Sequence, residues 1–115
     1  MSYNLETILA EKLQTILVRE LVNTRMRDFY DTHILLSIYG KSVDVDVLKE
    51  AFKATCKKRN TMDLITYSKQ AVERIRNSNV LSNLWIDYQS KFIYAQDISY
   101  KDTVNSVEKL LEMLS

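Results

Sequence analysis

Residues 11–36 read EKLQTILVRELVNTRMRDFYDTHILL and place charged side chains where two predicted helices meet. Lys12 and Arg19 lie on the first helix, seven residues apart, so both side chains project from the same side. Four charged residues then open the second helix: Arg25, Arg27, Asp28 and Asp31. A charge between two apolar-striped helices has to be either paired or used in binding. The candidate site of this sequence therefore lies at this junction.

The composition indicates an all-α fold. The 115 residues are enough for one domain that buries roughly two-thirds of its unfolded surface. The chain contains a single glycine, Gly40, and no proline, whereas sheet proteins need such residues at many turns. We predict a single helical domain over residues 1–115, a bundle of five or six helices in which the first two form a hairpin.

Charge and cysteine content narrow the class of function. Sixteen basic and fifteen acidic residues give a net charge of +1, so any anion site must be local rather than a property of the whole surface. The single cysteine excludes an internal disulfide and is typical of a reducing cytosol. The first residues have no signal-peptide pattern, and no apolar run approaches the ~20 residues that span a bilayer. We expect a cytoplasmic protein with no membrane partner.

Apolar residues at three- and four-residue steps predict the first three helices. We expect helix one over residues 5–22, capped by Asn4, and helix two over residues 25–39, capped by Asn23 or Thr24 and ended by Gly40. Helix three is predicted over residues 45–57, capped by Asp44. The predicted inward-facing residues are Leu5, Ile8, Leu9, Leu13, Ile16, Leu17, Leu21, Phe29, Ile34, Leu35, Ile38, Val47, Leu48, Ala51, Phe52 and Thr55.

The second half of the sequence predicts three more helices. After a linker at residues 60–64, helix four is expected over residues 66–76, with a weak apolar stripe. Helix five is expected over residues 80–94, with an inward stripe formed by Leu81, Leu84, Trp85, Tyr88 and Phe92. Helix six is expected over residues 100–114, because Ser99 and Asp102 have the spacing of a capping box.

The segment at residues 3–36, YNLETILAEKLQTILVRELVNTRMRDFYDTHILL, resembles the C-terminal helical region of the nucleotidyltransferase-fold abortive-infection toxins of the AbiEii/AbiGii type. Those proteins carry an AEKL helix, an arginine a turn or two later, and an R-x-[KR]-D-x-Y-D element. The counterparts here are Ala10-Glu11-Lys12-Leu13, Arg19, Arg25-Met26-Arg27-Asp28 and Tyr30-Asp31. A weaker similarity continues through Trp85 and Tyr88 to the start of the last helix.

The resemblance implies metal-dependent transfer of a nucleotidyl group from a nucleoside triphosphate to an acceptor, which is RNA in some members. Lys12 would be a catalytic residue that contacts phosphate, with further phosphate contacts from Arg19, Arg25 and Arg27. Asp28 and Asp31 would be the catalytic carboxylates, Asp28 with the better claim, since Asp31 could instead orient the arginines. The implied cofactors are Mg²⁺ and a nucleoside triphosphate, if the site is functional.

The chain also departs from the family pattern. Family members begin with a core in which a Gly-Ser loop is followed by an Asp-x-Asp pair. Gly40 is the only glycine here, and Asp44-Val45-Asp46 is typical of a helix cap rather than a metal-binding pair. In that family, lysine is commoner at the position of Arg27, and glycine is usual at the position of Glu20. We therefore expect no nucleotide transfer from this chain alone.

Two hypotheses of different classes follow. In the first, the chain is a C-terminal fragment or remnant of such a toxin, which docks onto a separate catalytic core, an antitoxin or RNA. In the second, it is a helical protein-interaction module unconnected with nucleotides, such as a homodimer. The first predicts that the charged cluster converges on an open, concave face, and the second that it is paired and occluded.

The other residues of types that often bind ligands or take part in catalysis are interpreted as structural. His33 has no second histidine or cysteine at ligand spacing, so no metal site is predicted, and a satisfied core or surface histidine is expected. Cys56 is interpreted as a small buried hydrophobe. The aromatic stripe of helix five favours core packing over base stacking. The basic run at residues 57–59 is interpreted as a solvated helix end, with an RNA-facing patch as the alternative.

Overall fold

The computed structural model describes residues 4–22 and 25–114, and every regular element in those ranges is helical. This confirms the all-α prediction. The six α-helices are α1 (Leu5–Arg19), α2 (Met26–Tyr39), α3 (Val45–Lys58), α4 (Leu64–Arg76), α5 (Asn79–Lys91) and α6 (Tyr100–Glu112). Single 3₁₀ turns follow α1, α2 and α5, at Glu20–Val22, Gly40–Ser42 and Ile93–Ala95. None of the described helices is both long enough and apolar enough to cross a membrane.

Helix α1 is the centre of the bundle. It packs most extensively against α3 and also contacts α2, α4 and α6, while α2 packs mainly against α6. Leu9, Leu13, Ile16 and Leu17 of α1 are fully buried. Burying an apolar side chain of this size contributes on the order of 1.5–3 kcal/mol. The contact between the consecutive helices α1 and α2 agrees with the predicted hairpin.

Three predicted N-caps are confirmed by their hydrogen bonds. The Asn4 side chain accepts from the Thr7 amide at 2.8 Å. The Asp44 carboxylate accepts from the amides of residues 46 and 47 at 3.1 and 3.2 Å, so it serves as a cap, as predicted. Ser99 and Asp102 form a reciprocal capping box at 3.0 and 3.1 Å. In addition, the Asp44 amide donates to Glu6 Oε2 at 3.0 Å, a bond between α1 and the start of α3.

Several helix ends and stripe residues differ from the predictions. Helix α1 ends at Arg19, because Glu20 takes a left-handed φ of 42°, and Leu21 beyond it is 45% exposed. Ile38 is 64% exposed, since the buried face of α2 carries Met26, Phe29 and Leu36 instead. The predicted caps Asn23 and Thr24 lie outside the described residues.

Helix α5 is shorter than predicted. It ends at Lys91 rather than at residue 94, because Phe92 adopts an extended conformation with φ of −128° and ψ of 108°. Trp85 and Leu81 are buried as expected, whereas Phe92 is partly exposed. The chain then turns so that Tyr88 and Tyr94 hydroxyls lie 2.8 Å apart. The end of α5 is therefore an aromatic corner rather than a continuous core stripe.

Candidate functional site

An interhelical ion-pair network joins the middle of α1 to the first two turns of α2. Lys12 Nζ lies 3.0 Å from Asp31 Oδ2 and 3.5 Å from Asp28 Oδ1. The Asp28 side chain is only 6% exposed, whereas Lys12 and Asp31 are partly exposed. One lysine thus bridges two carboxylates that sequence spacing placed one turn apart on α2.

Two arginines complete this network. Arg27 Nε donates to Asp31 Oδ1 at 2.9 Å, and this hydrogen bond raises the pKa of the exposed Arg27 guanidinium. Arg25 Nε lies 4.0 Å from Asp28 Oδ2. The predicted site residues Lys12, Arg25, Arg27, Asp28 and Asp31 are therefore brought together. Arg19 lies next to this group, on the last turn of α1.

Within this network, the side chain of Asp28 has incomplete hydrogen bonding. Its Oδ2 atom is buried and accepts no hydrogen bond from any described residue. Buried carboxylate oxygens ordinarily accept at least one hydrogen bond from protein or ordered water, and each exception needs an explanation. The backbone around Asp28 is fixed, because Thr32 Oγ1 donates to the Asp28 carbonyl at 2.8 Å. The carboxylate oxygen Oδ2 thus keeps acceptor capacity that a ligand could use.

Two hollows adjoin this carboxylate. The Lys12 hollow, of about 310 Å³, is lined by Ile8, Glu11, Lys12, Thr15, Asp28 and Arg59. The arginine hollow, of about 480 Å³, is lined by Gln14, Thr15, Val18, Arg19, Arg25, Asp28, Arg59 and Thr61. Each alternative posed from the sequence is therefore matched only in part: the charges are paired, but they border concave surface and are not occluded.

Arg59 belongs to the basic run at residues 57–59, which the sequence did not connect with the charged junction. It follows α3, and its Nη1 donates to Gln14 Oε1 at 2.5 Å and to Thr15 Oγ1 at 3.1 Å. Gln14 is 3% exposed and donates to Thr61 Oγ1 at 3.2 Å. The available signal was a glutamine within the apolar stripe of α1, which needs a polar partner when buried. No spacing rule connects positions 14 and 59, so the partner could not be inferred.

The described carboxylates do not by themselves form a magnesium site. Within residues 4–22 and 25–114, no three His, Cys, Asp or Glu side chains are grouped closely enough to hold a metal ion. Asp31 is paired with Lys12 and Arg27, and Asp28 faces Lys12 and Arg25. Because each carboxylate is balanced by cations, the pair is suited to orienting basic groups rather than to holding Mg²⁺ unaided.

The single histidine and the single cysteine both have structural roles. His33 Nδ1 lies 2.8 Å from Ser106 Oγ, which joins α2 to α6 as expected for a satisfied histidine. Cys56 is buried, and this burial raises the pKa of its thiol, which disfavours the reactive thiolate. Neither residue borders the two hollows.

Comparison with known proteins identifies one family. A family model described as "Nucleotidyl transferase AbiEii toxin, Type IV TA system" matches residues 1–112. No curated protein and no solved structure matches the chain.

Proposed function

The chain belongs to the AbiEii family of nucleotidyl transferase toxins of toxin–antitoxin systems, and from this premise we propose that the junction of α1 and α2 is a half-site that binds a nucleoside triphosphate. One observation carries this proposal. Asp28 borders two hollows whose other charged residues are mostly basic, and its buried Oδ2 accepts no hydrogen bond from the described residues. A purely structural ion pair gains nothing from an unsatisfied oxygen, because such an oxygen costs stability.

The roles follow from the geometry of the network. Arg19 and Arg25 border the arginine hollow, where guanidinium groups can bind phosphate oxygens in a bidentate manner. Lys12 is held by Asp28 and Asp31 and contacts phosphate at the edge of the Lys12 hollow. Asp31 orients Lys12 and Arg27, and Asp28 accepts a hydrogen bond from the ligand.

We further propose that residues 1–115 do not transfer nucleotide unaided. Gly40 lies in the turn after α2 rather than in a Gly-Ser loop, and Asp44 is occupied with capping α3. A phosphate-gripping loop and a metal-holding carboxylate pair must then come from another segment or another chain. The family description names a toxin–antitoxin system, which supports an antitoxin as a partner, and RNA is the acceptor we propose. The cytoplasm is the proposed site of action of this protein.

Calorimetry with each of the four nucleoside triphosphates, with and without Mg²⁺, tests the half-site. We expect saturable binding by the wild type, weakened about tenfold in Lys12→Ala and in Arg19→Ala, since each removes a charge-assisted contact. Lys53→Ala, an exposed lysine of α3 away from both hollows, serves as the matched control. Circular dichroism melting shows whether each variant remains folded. No binding at millimolar nucleotide would contradict the proposal.

A protein-interaction module remains the second candidate function, and one feature favours it. The aromatic corner exposes Ile93 to 82% and leaves Phe92 and Tyr94 partly exposed, close to Tyr30 of α2. Clustered exposed apolar residues are typical of protein contact surfaces. Light scattering coupled to size exclusion tests a homodimer, which Ile93→Lys should dissociate, whereas a wild-type monomer at all concentrations excludes it.

A further inference from the structure

We infer that Arg59 is a third phosphate-contacting arginine, which binds the phosphates from the arginine hollow. This inference rests on the proposed function and makes it more specific. It assigns a residue from the end of α3 to a site that otherwise consists of α1 and α2.

The charges around the two hollows differ. The arginine hollow is bordered by Arg19, Arg25 and Arg59 against one carboxylate, Asp28, which leaves two positive charges in excess. The Lys12 hollow has two acidic and two basic residues, so its charges balance. Like charges gathered around one concave surface repel each other until an anion neutralises them. The arginine hollow therefore favours a polyanion more strongly than the Lys12 hollow does.

The protein holds Arg59 in place before any ligand arrives. Its Nη1 is bound by Gln14 and Thr15, and the buried Gln14 amide is itself held by Thr61. Fixing a long side chain in advance removes part of the entropic cost of binding. Both hydrogen bonds that Arg59 donates to described residues come from Nη1, so the hydrogens of Nε and Nη2 remain for a ligand.

Asp28 gives a second and independent indication of a ligand. Its side chain is 6% exposed, borders the arginine hollow, and has an oxygen that accepts no hydrogen bond within the described residues. A bare phosphate oxygen would be repelled by this carboxylate, whereas a hydroxyl group can donate to it. The arrangement thus fits a phosphorylated compound that also carries hydroxyl groups, as a nucleotide does, better than an inorganic anion.

The test compares Arg59→Ala with Lys58→Ala, its exposed neighbour, which loses the same charge but borders neither hollow. The probes are inorganic triphosphate and adenosine triphosphate, titrated by calorimetry at one fixed salt concentration. We expect Arg59→Ala to weaken both ligands about tenfold and Lys58→Ala to weaken them less than about twofold. Arg59→Lys should recover part of the loss, since it restores the charge without the planar fork. Adenosine triphosphate should bind more tightly than inorganic triphosphate.

Each outcome separates this inference from the function on which it rests. If Arg59→Ala and Lys58→Ala bind alike while Arg19→Ala loses affinity, the role of Arg59 is refuted and the half-site stands. If the wild type binds neither probe at millimolar concentration, both are refuted. If inorganic triphosphate binds as tightly as the nucleotide, Asp28 does not select a hydroxyl. Melting curves for all variants show whether the affinities refer to folded protein.

Discussion

At the scale of single residues, Asp28 combines burial with incomplete pairing. Lys12 lies 3.5 Å from one of its oxygens, and the other accepts no hydrogen bond from the described residues. Removing a carboxylate from water costs several kcal/mol, which ion pairing repays only with good geometry and full hydrogen bonding. The native site therefore retains a group that folding alone does not favour.

We predict that Asp28→Asn leaves the free energy of unfolding unchanged or raises it by about 1 kcal/mol. The amide keeps the shape of the side chain and removes a poorly compensated charge, and Lys12 retains Asp31 as its partner. Urea denaturation measures this change, and calorimetry should show a loss of nucleotide binding. Asp46→Asn, an exposed change on α3, is the control. A loss of more than about 2 kcal/mol would identify Asp28 as a structural ion-pair member instead.

Glu20 occupies a position where the family resemblance predicts glycine, and its backbone conformation shows why glycine suits that position. Its φ of 42° lies in the left-handed region, which glycine adopts without strain and other residues rarely adopt. A bidentate ion pair with Arg74, at 2.6 and 3.0 Å, accompanies this conformation. The residue type usual at this position thus suits the backbone, and Glu20 offsets part of the strain through a partner on α4.

At the scale of elements, α1 shows which part of an apolar stripe reaches the core. Leu13 and Leu21 occupy equivalent positions in the predicted pattern, yet Leu13 is fully buried and Leu21 follows the end of the α-helix. We predict that Leu13→Ala lowers the free energy of unfolding by about 2–5 kcal/mol, because it leaves a cavity. Leu21→Ala should change it by less than about 0.5 kcal/mol. Denaturant titration of both variants measures the contrast, and equal losses would contradict it.

The capping box of α6 gives a pH-dependent contribution to stability. The hydrogen bond from the Ser99 amide holds the pKa of Asp102 below its ordinary value of 3.8. A carboxyl whose pKa is lowered by folding stabilises the protein fully above its unfolded pKa. This contribution is lost as the pH falls through the lower folded-state pKa.

We therefore predict that Asp102→Ala lowers the thermal midpoint by a few degrees at neutral pH, and that its difference from the wild type shrinks as the pH falls below the ordinary pKa of 3.8 and through the lower folded-state pKa. Thermal melts of both proteins across this range measure the difference. Glu112→Ala removes an exposed acid at the opposite end of α6, outside the capping box, and serves as the control. A pH-independent difference would show that the Asp102 charge is not what stabilises the cap.

At the scale of the whole molecule, local sequence rules located the six helices and several of their caps, but not every residue of the candidate site. Caps such as Asp44 and Ser99 act within three residues, so sequence spacing identified them. The charged junction was also found, because Lys12 and Asp28 lie on consecutive helices. The link between Arg59 and this junction was not predicted, because its contacts with α1 depend on how α3 packs, which no local pattern encodes. Ile38 fits the periodicity of α2 and is nevertheless 64% exposed, because periodicity alone does not specify which face of α2 packs against α6.

The bond from the Asp44 amide to Glu6 makes one backbone proton a reporter on the entire bundle. Its acceptor is 38 residues away, on α1, so slow hydrogen–deuterium exchange at Asp44 requires α1 and α3 to remain docked. We predict that this amide exchanges at a rate close to that of global opening, whereas the exposed Asp46 amide, bound only by the local cap, exchanges faster. Glu6→Ala should accelerate exchange at Asp44 alone. The amide resonance of Asp44 would then report the equilibrium in which α1 and α3 separate. Arg59, which follows α3, loses its contacts with α1 in the same opening.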